Sequence, residues 1–412
     1  MPKRLSLQGN PDMSQPDRLR IYLVQENPIA GDLTGNLEKA QSALRAGEEA
    51  GADLVVLPEM FLSGYQLLDL SVRPAFLRDC QVAIDVLAAG TVKGGAAIAI
   101  GAPVPGSTTE PGQDHAGAYN AVMLCQDGRV RATFRKHHRP NYGVFDEKRL
   151  YLEGPAPGPI EINGCRVGFP ICEDLWFPDV AETLEEAGAE ILISPNGSPY
   201  HRGKHDIRMG HMVARVVETG LPLVYLNLIG GQDDQIFDGG SFALSPGGAL
   251  AAQLPFFDAH SRLIDVVRTD DGWRIQPSDL APVPEPWALD YRAMVDATRD
   301  YVLKSGFKKV LLGLSGGVDS AIVATVAVDA LGPENVRCVR LPSKYSSEGS
   351  LTDAEDLASR VGARLQTIEI ADGVQAIEDT LAPFFEGLEP DTTEENLQSR
   401  TRGTLLMAVS NK

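Results

Sequence analysis

The chain has no long apolar run. None of its segments reaches the roughly 20 apolar residues that a membrane helix needs. The N-terminal stretch carries Lys3 and Arg4 but no hydrophobic core of a secretory signal, so residues 1–18 read as a flexible leader and the cytoplasm as the default compartment. Cysteine is scarce too: Cys80, Cys125, Cys165, Cys172 and Cys338 make no Cys-x-x-Cys pair and no paired framework, which argues against disulfides and structural zinc and for a reducing compartment. Positive charge is in short supply, with 37 Lys and Arg against 56 Asp and Glu and a net charge of -19. Such a balance repels a phosphate backbone, and the one cationic cluster, Arg135 to Arg139, is too small to form a groove, so no nucleic-acid partner is expected. No internal repeat or low-complexity tract is present.

What is present is enough apolar residue, 43% of 412 positions, for more than one core, and two domains are the simplest expectation. Short aliphatic runs at 20–25, 53–57, 96–102, 165–170, 191–194 and 223–227 read as strands, with a hairpin around Asp127-Gly128 and another near 241–250. Helical patterns at 36–50, 179–187 and 206–219 lie between them, so an α/β domain with mixed sheets is expected over 19–275. Pro277, Pro282, Pro284 and Pro286 mark a linker at 276–288. Beyond it, strands at 309–314, 336–341 and 364–370 alternate with helices at 289–305, 316–331 and 350–361, giving a parallel α/β domain over 289–412.

Three predicted strands are each followed by a chemically capable residue: Glu59 in Leu57-Pro58-Glu59, Lys136 in Arg135-Lys136, and Cys172 in Pro170-Ile171-Cys172-Glu173. Singly they read as a loop acid, a surface cation and a buried thiol. Together they fit thiol attack on an amide, which needs a base, a cation for thiolate and oxyanion, and a proton for departing ammonia. A carboxylate base needs a raised pKa, and Glu147 is a candidate neighbour for that purpose.

The blocks Leu57 to Tyr65, Arg135-Lys136 with Asn141 to Glu147, and Ile171 to Trp176 resemble the three active-site blocks of the nitrilase (carbon–nitrogen hydrolase) superfamily, nearest to the glutaminase domain of NAD+ synthetases. The resemblance covers residues 20 to about 270. It implies an α-β-β-α sandwich with Glu59 as general base, Lys136 as oxyanion-stabilising cation and Cys172 as nucleophile. It also implies glutamine binding at Tyr142, Ser198 and Lys204, with Tyr65, Glu173 and Trp176 as further pocket residues.

In the second domain, Gly313, Leu314, Ser315, Gly316, Gly317, Val318, Asp319 and Ser320 join a strand to a helix, so backbone N–H groups and two hydroxyls converge on an anion site. The loop lacks the Gly-Lys-Ser/Thr ending of a Walker A motif. It resembles the pyrophosphate loop of the ATP pyrophosphatase (adenine nucleotide alpha hydrolase-like) class, which implies ATP as co-substrate and Mg2+ held by Asp319. The segments Leu341 to Ser350 and Glu394 to Arg400 are similar to NAD+ synthetase segments near adenine and deamido-NAD+, implying Asn396 as a dinucleotide ligand; Arg400 and Arg402 read either as phosphate contacts or as the solvated face of a helix.

These resemblances imply a glutamine-dependent NAD+ synthetase without a prosthetic group. Its small-molecule partners would be glutamine, ATP and deamido-NAD+, and a homo-oligomer would be packed around an ammonia tunnel. An amidotransferase with another acceptor, a free-standing glutaminase or amidase, a truncated form retaining glutaminase only, and a silent nucleotide-binding regulator are the alternatives. The helical spacing of Leu397, Thr401, Leu405 and Ala408 runs to the last residue without a stop signal, and the Thr-Gly-Asn-Lys-Ser-Glu-like block of the family is absent, so the second domain is expected to be partial at its C-terminus.

Overall fold

A computed structural model describes residues 17–107, 116–343 and 347–412. Most of the expected leader, and Lys344-Tyr345-Ser346 of the adenine-side segment, lie outside the described residues. The chain forms two compact units, one ending at Leu289 and one running from Asp290 to Lys412.

In the first unit the strands assemble, among the described residues, into two large sheets. One has seven strands in the order Gly272–Ile275, His260–Thr269, Arg18–Gln25, Leu54–Val56, Ala97–Ser107, Ala116–Gln126 and Arg129–Arg135. The other has six in the order Ala249–Gln253, Phe242–Ser245, Leu223–Asn227, Ile191–Asn196, Cys165–Gly168 and Ile160–Ile162. The period-2 pattern decides which side chains meet: Leu19, Ile21 and Leu23 point into a core shared with Val167, Ile191, Ile193 and Val224 of the facing sheet. Val55, Ile98 and Ile100 point the other way, against Ala40, Ala43, Ile84 and Leu87 of the helices Leu33–Glu49 and Pro74–Ala89. On the far side of the six-stranded sheet, Leu192 and Tyr225 meet Leu184, Met212 and Val216 of the helices Asp179–Glu186 and Lys204–Thr219. These contacts make the α-β-β-α sandwich.

Several elements differ from the expectation. Strand His260–Thr269 buries Ile264 and Val266 but carries Arg262, Asp265 and Arg268, and its pairing along the whole of Arg18–Gln25 overrides that polarity. Helix Pro74–Ala89 lies where no element was expected and buries Leu77, Ala83, Ile84 and Leu87 along one stripe. The hairpin Ile229–Gln232 with Gln235–Asp238 is also unforeseen, because its Gly-Gly and Asp-Asp content reads as loop. Helix Pro286–Lys304 starts three residues before the expected Leu289, its first turn accommodating a proline whose missing N–H has no partner to lose there.

The second unit holds the parallel strands Val310–Gly313, Val336–Arg340 and Arg364–Thr367 in that order, with helices Val318–Leu331 and Glu348–Val361 as the crossovers. Leu314, Ala324, Ala327, Cys338, Ala354 and Ala358 form its core. Helix Thr392–Ser410 starts ahead of the spacing that begins at Leu397, at a capping box in which Asp391 accepts from Thr393 N and Glu394 accepts from Asp391 N at 2.9 Å. No helix among the described residues is long and apolar enough to cross a membrane.

Candidate active site

Glu59, Lys136 and Cys172 all follow the C-terminal ends of strands, and the sheets bring them together. Lys136 is 1% exposed and lies between two carboxylates, with Nζ 2.7 Å from Glu59 Oε1 and 2.9 Å from Glu147 Oε2. Glu59 is fully buried and also accepts from Asn120 Nδ2 at 2.7 Å and from the Gly197 backbone N–H at 2.7 Å. Glu147 Oε1 accepts from the Tyr65 hydroxyl at 2.8 Å and from Asn120 Nδ2 at 3.2 Å. Burial alone would lower the Lys136 ammonium, but the Glu147 and Glu59 carboxylates reverse this and hold it well above its ordinary value. Burial raises the Glu147 carboxyl more than Lys136 lowers it, and Glu59 adds to the rise.

Cys172 faces this cluster from a turn with a positive φ of 48°, a conformation that a non-glycine residue adopts only when its surroundings enforce it. The turn opens a short 3-10 segment, Cys172–Leu175, after the strand Cys165–Gly168. Burial pushes the thiol well above its ordinary value; Glu59 raises it further and Lys136 opposes both. Beside these carboxylates the buried thiol is held in its neutral form, since a standing thiolate would add a further buried negative charge. A proton passing from the thiol to a carboxylate during attack leaves the total unchanged.

Sequence reasoning missed the groups that hold this arrangement. Asp174 is fully buried and accepts from three backbone N–H groups: His137 at 3.0 Å, His138 at 2.7 Å and Ile171 at 2.9 Å. It therefore ties the residues just after Lys136 to the residue just before Cys172. Burial pushes its carboxyl up to about 6, although the His138 and Ile171 N–H groups pull the other way. Asn120 was missed although it is a polar residue within the apolar strand Ala116–Gln126, which is a usable signal. Gly197 is dictated by close approach: a Cβ there would lie 2.6 Å from Tyr65 Cδ1 and 3.3 Å from Glu59 Oε2.

The expected glutamine-binding residues lie around the same centre in different states. The Tyr142 hydroxyl is 3.0 Å from both oxygens of Glu173, and burial followed by that carboxylate raises its pKa. Glu173 itself is raised by burial and lowered in turn by Lys136, Tyr142 and Lys204, so it lies within electrostatic reach of both ammonium groups. Lys204 opens its helix with Nζ 4.3 Å from the centre of the Trp176 ring; burial, then Arg208, lowers its pKa. Ser198 is buried, and its Oγ accepts from Arg208 Nε at 3.1 Å. Arg208 also pairs with both oxygens of Asp238 at 2.8 and 3.0 Å. Asn227 Oδ1 accepts from Ser198 N at 2.9 Å, fixing the loop after the strand Ile191–Asn196. Arg208, Asp238 and Asn227 were not foreseen; a buried arginine on an amphipathic helix is their one clue.

In the second unit, the loop after Val310–Gly313 is shaped by its own hydroxyls. Ser315 Oγ and Ser320 Oγ are 3.0 Å apart, Ser315 Oγ accepts from Gly317 N at 3.2 Å, and Ser320 Oγ donates to Gly317 O at 2.9 Å. The helix Val318–Leu331 starts with no side-chain cap, which leaves its first N–H groups for an anion. Gly316 has φ +85°, and a Cβ there would meet Ser350 O at 2.2 Å, so the loop lies directly against the start of the next helix. A cavity of about 330 Å³ beside the loop is lined in part by Gly313, Leu314, Ser315, Leu341 and Arg402, whose Nε donates to Leu341 O at 3.1 Å. Asp319 is exposed in the first helical turn; Asn396 is exposed and lies outside the residues that line this cavity.

Comparison with known proteins agrees with both units. Residues 20–266 match the carbon-nitrogen hydrolase family and residues 290–412 the NAD synthase family. The chain is 54% identical over 396 residues to the glutamine-dependent NAD(+) synthetase of Rhodobacter capsulatus, spanning 96% of this chain and 70% of that protein. It is 37% identical over 428 residues to the enzyme of the same name from Thermotoga maritima, spanning 96% of this chain and 73% of that protein. Among solved structures, the glutamine-dependent NAD+ synthetase of Acinetobacter baumannii in complex with ADP superposes with a TM-score of 0.88 at 37% identity, over 96% of this chain and 73% of that one. An amidase from Nesterenkonia, at 24% identity and a TM-score of 0.51 over 60% of this chain and 90% of that one, shares the fold of the first unit.

Proposed function

Since the chain belongs to the glutamine-dependent NAD+ synthetase family, we propose that Cys172 of its first unit releases ammonia from glutamine and that its second unit uses ATP to amidate deamido-NAD+. The observation that carries the first half is the buried Glu59–Lys136–Glu147 cluster facing a thiol on a positive-φ turn. The Cys172 sulfur attacks the side-chain amide carbon while Glu59 takes the thiol proton, and the oxygen, now negative, is held by the Lys136 ammonium. The tetrahedral adduct collapses as Glu59 passes that proton to the departing nitrogen, giving ammonia and a glutamyl thioester. Water then attacks the thioester, with Glu59 again accepting a proton, and free glutamate leaves with the thiol restored.

Tyr142, Ser198 and Lys204 would receive the α-amino and α-carboxylate groups of glutamine. The Lys204 ammonium neutralises the carboxylate, and Glu173, which has a raised carboxyl and a Tyr142 partner, lies on the same side to meet the ammonium. Ser315, Gly317 and Ser320 would cradle the pyrophosphate of ATP, and Arg402 at the neighbouring cavity offers a further cation. Asp319 suits Mg2+ at this point, being an exposed hard oxygen donor one residue into a helix that has no capping side chain. When bound, such an ion would offset the charge of the pyrophosphate as it leaves. Asn396 would then contact the dinucleotide.

The test is glutamine hydrolysis by Cys172→Ala. The substitution removes the nucleophile and little volume, so turnover should fall by at least about 10⁴-fold with the fold retained. Turnover near the parent rate would remove Cys172 from the mechanism. Deamido-NAD+ as acceptor is checked separately by calorimetry, in which it should bind to the chain with MgATP while xanthylate and aspartate do not.

A further inference from the structure

Beyond the amidotransferase sites, the first unit carries a cluster that the proposed reaction does not use. His137, His138 and Asp179 each offer one ligand atom, and these atoms all lie within 4.8 Å of one another. His138 Nε2 is 2.9 and 3.0 Å from the two oxygens of Asp179, whose side chain is 54% exposed, while the His138 side chain is 25% exposed. His137 Nδ1 is 2.7 Å from the carbonyl oxygen of Gly154. A carbonyl can only accept, so Nδ1 carries the proton and Nε2 is left with its lone pair. Metal-binding histidines are commonly oriented by this kind of hydrogen bond to a backbone carbonyl.

We propose that His137, His138 and Asp179 bind one borderline divalent metal ion, with Zn2+ preferred among the physiological ones. Two imidazole nitrogens and one carboxylate are a donor set that suits zinc, at about 2.0 to 2.2 Å from the ion. Tetrahedral angles at those bond lengths separate the donors by roughly 3.3 Å. The His138–Asp179 separation of 2.9 Å therefore needs to open by a few tenths of an ångström, and the other ligand atoms, all within 4.8 Å of one another, to close by at most about 1.5 Å, which the exposed carboxylate allows. The fourth position would keep a water. Hard ions such as Mg2+ prefer oxygen ligands and are poorly served here.

The placement gives the ion a mechanical consequence. His137 and His138 follow Lys136 directly, and Asp179 starts the helix after the segment that carries Cys172. The ion would span the same two segments that Asp174 joins from the buried side. It is thus a second, metal-dependent tie across the glutaminase site.

The experiment uses the whole chain, freed of metal by chelation and titrated with ZnCl2 against a chromophoric zinc indicator. One equivalent should bind with a Kd of micromolar order or tighter. His138→Gln and Asp179→Asn should each weaken it at least tenfold while still hydrolysing glutamine, which certifies their fold. Cys172→Ala should bind as the parent does, and Co2+ in place of Zn2+ should give tetrahedral ligand-field bands without thiolate charge transfer. Binding weaker than about 100 µM, parent affinity in both His138→Gln and Asp179→Asn, or loss of the tight equivalent in Cys172→Ala would each overturn the proposal.

Discussion

Replacing Asp174 by Asn tests whether this carboxylate positions the catalytic segments or only fills space. The change is isosteric, but one of two acceptor oxygens becomes an amide NH2. Because Asp174 serves three backbone donors, at least one N–H among His137, His138 and Ile171 must then face another donor. An unpaired buried N–H costs about 1 to 3 kcal/mol. Against this stands the removal of a buried charge. The carboxyl is pushed up to about 6 from an ordinary 3.8, a gap worth about 3 kcal/mol against the ionised form. The two effects nearly cancel near neutrality, so unfolding free energy at pH 7 should change by less than about 2 kcal/mol.

The pH dependence does not cancel. A carboxyl held above its unfolded value gives the folded state an advantage that is complete below about 3.8 and lost as pH rises through about 6. Urea unfolding of the parent should therefore lose roughly 2 kcal/mol more than Asp174→Asn between pH 4 and pH 7. At pH 7, glutamine kcat should be about 10-fold to 100-fold lower in the variant than in the parent, with KM within about 3-fold, because Asp174 orients the Lys136 and Cys172 segments and not the substrate. Parallel stability curves for the two proteins would refute the buried charge. Parent kcat in Asp174→Asn would refute the positioning role.

Glu147→Gln should lower glutamine kcat by roughly 10-fold to 100-fold, since the amide can keep only one of the Lys136 and Asn120 contacts without a donor facing a donor. Steady-state kinetics checks this, and unchanged kcat would leave Glu59 as the one carboxylate that matters. Gly316→Ala should reduce MgATP affinity at least about tenfold, because a Cβ at φ +85° would stand 2.2 Å from Ser350 O and push the loop from its helix. Calorimetry reads this directly, and glutamine hydrolysis by the same variant should stay at the parent rate.

The candidate catalytic residues were legible in the sequence because each stands just past the end of a strand, where the apolar pattern breaks, and the three side chains together fit one reaction. Glu59 follows Leu54–Val56, Lys136 follows Arg129–Arg135 and Cys172 follows Cys165–Gly168, and it is the three taken together that point to one reaction. The residues that hold them were not legible, because their role is to join parts of the chain far apart in sequence. Asn120 reaches Glu59 across 61 positions, Gly197 reaches the same carboxylate across 138, and Asp174 reaches His137 across 37. No periodicity within a window of a dozen residues encodes such a pairing. The fold divides the same way. Strands whose neighbours bury both faces, such as Ile191–Asn196, are apolar throughout most of their length and announce themselves. His260–Thr269 is polar along much of its length and becomes a strand only because Arg18–Gln25 presents a full row of backbone partners. The candidate residues of this unit are thus marked locally by their places at strand ends, whereas the pKa shifts around them are set by contacts that only the assembled sheets create.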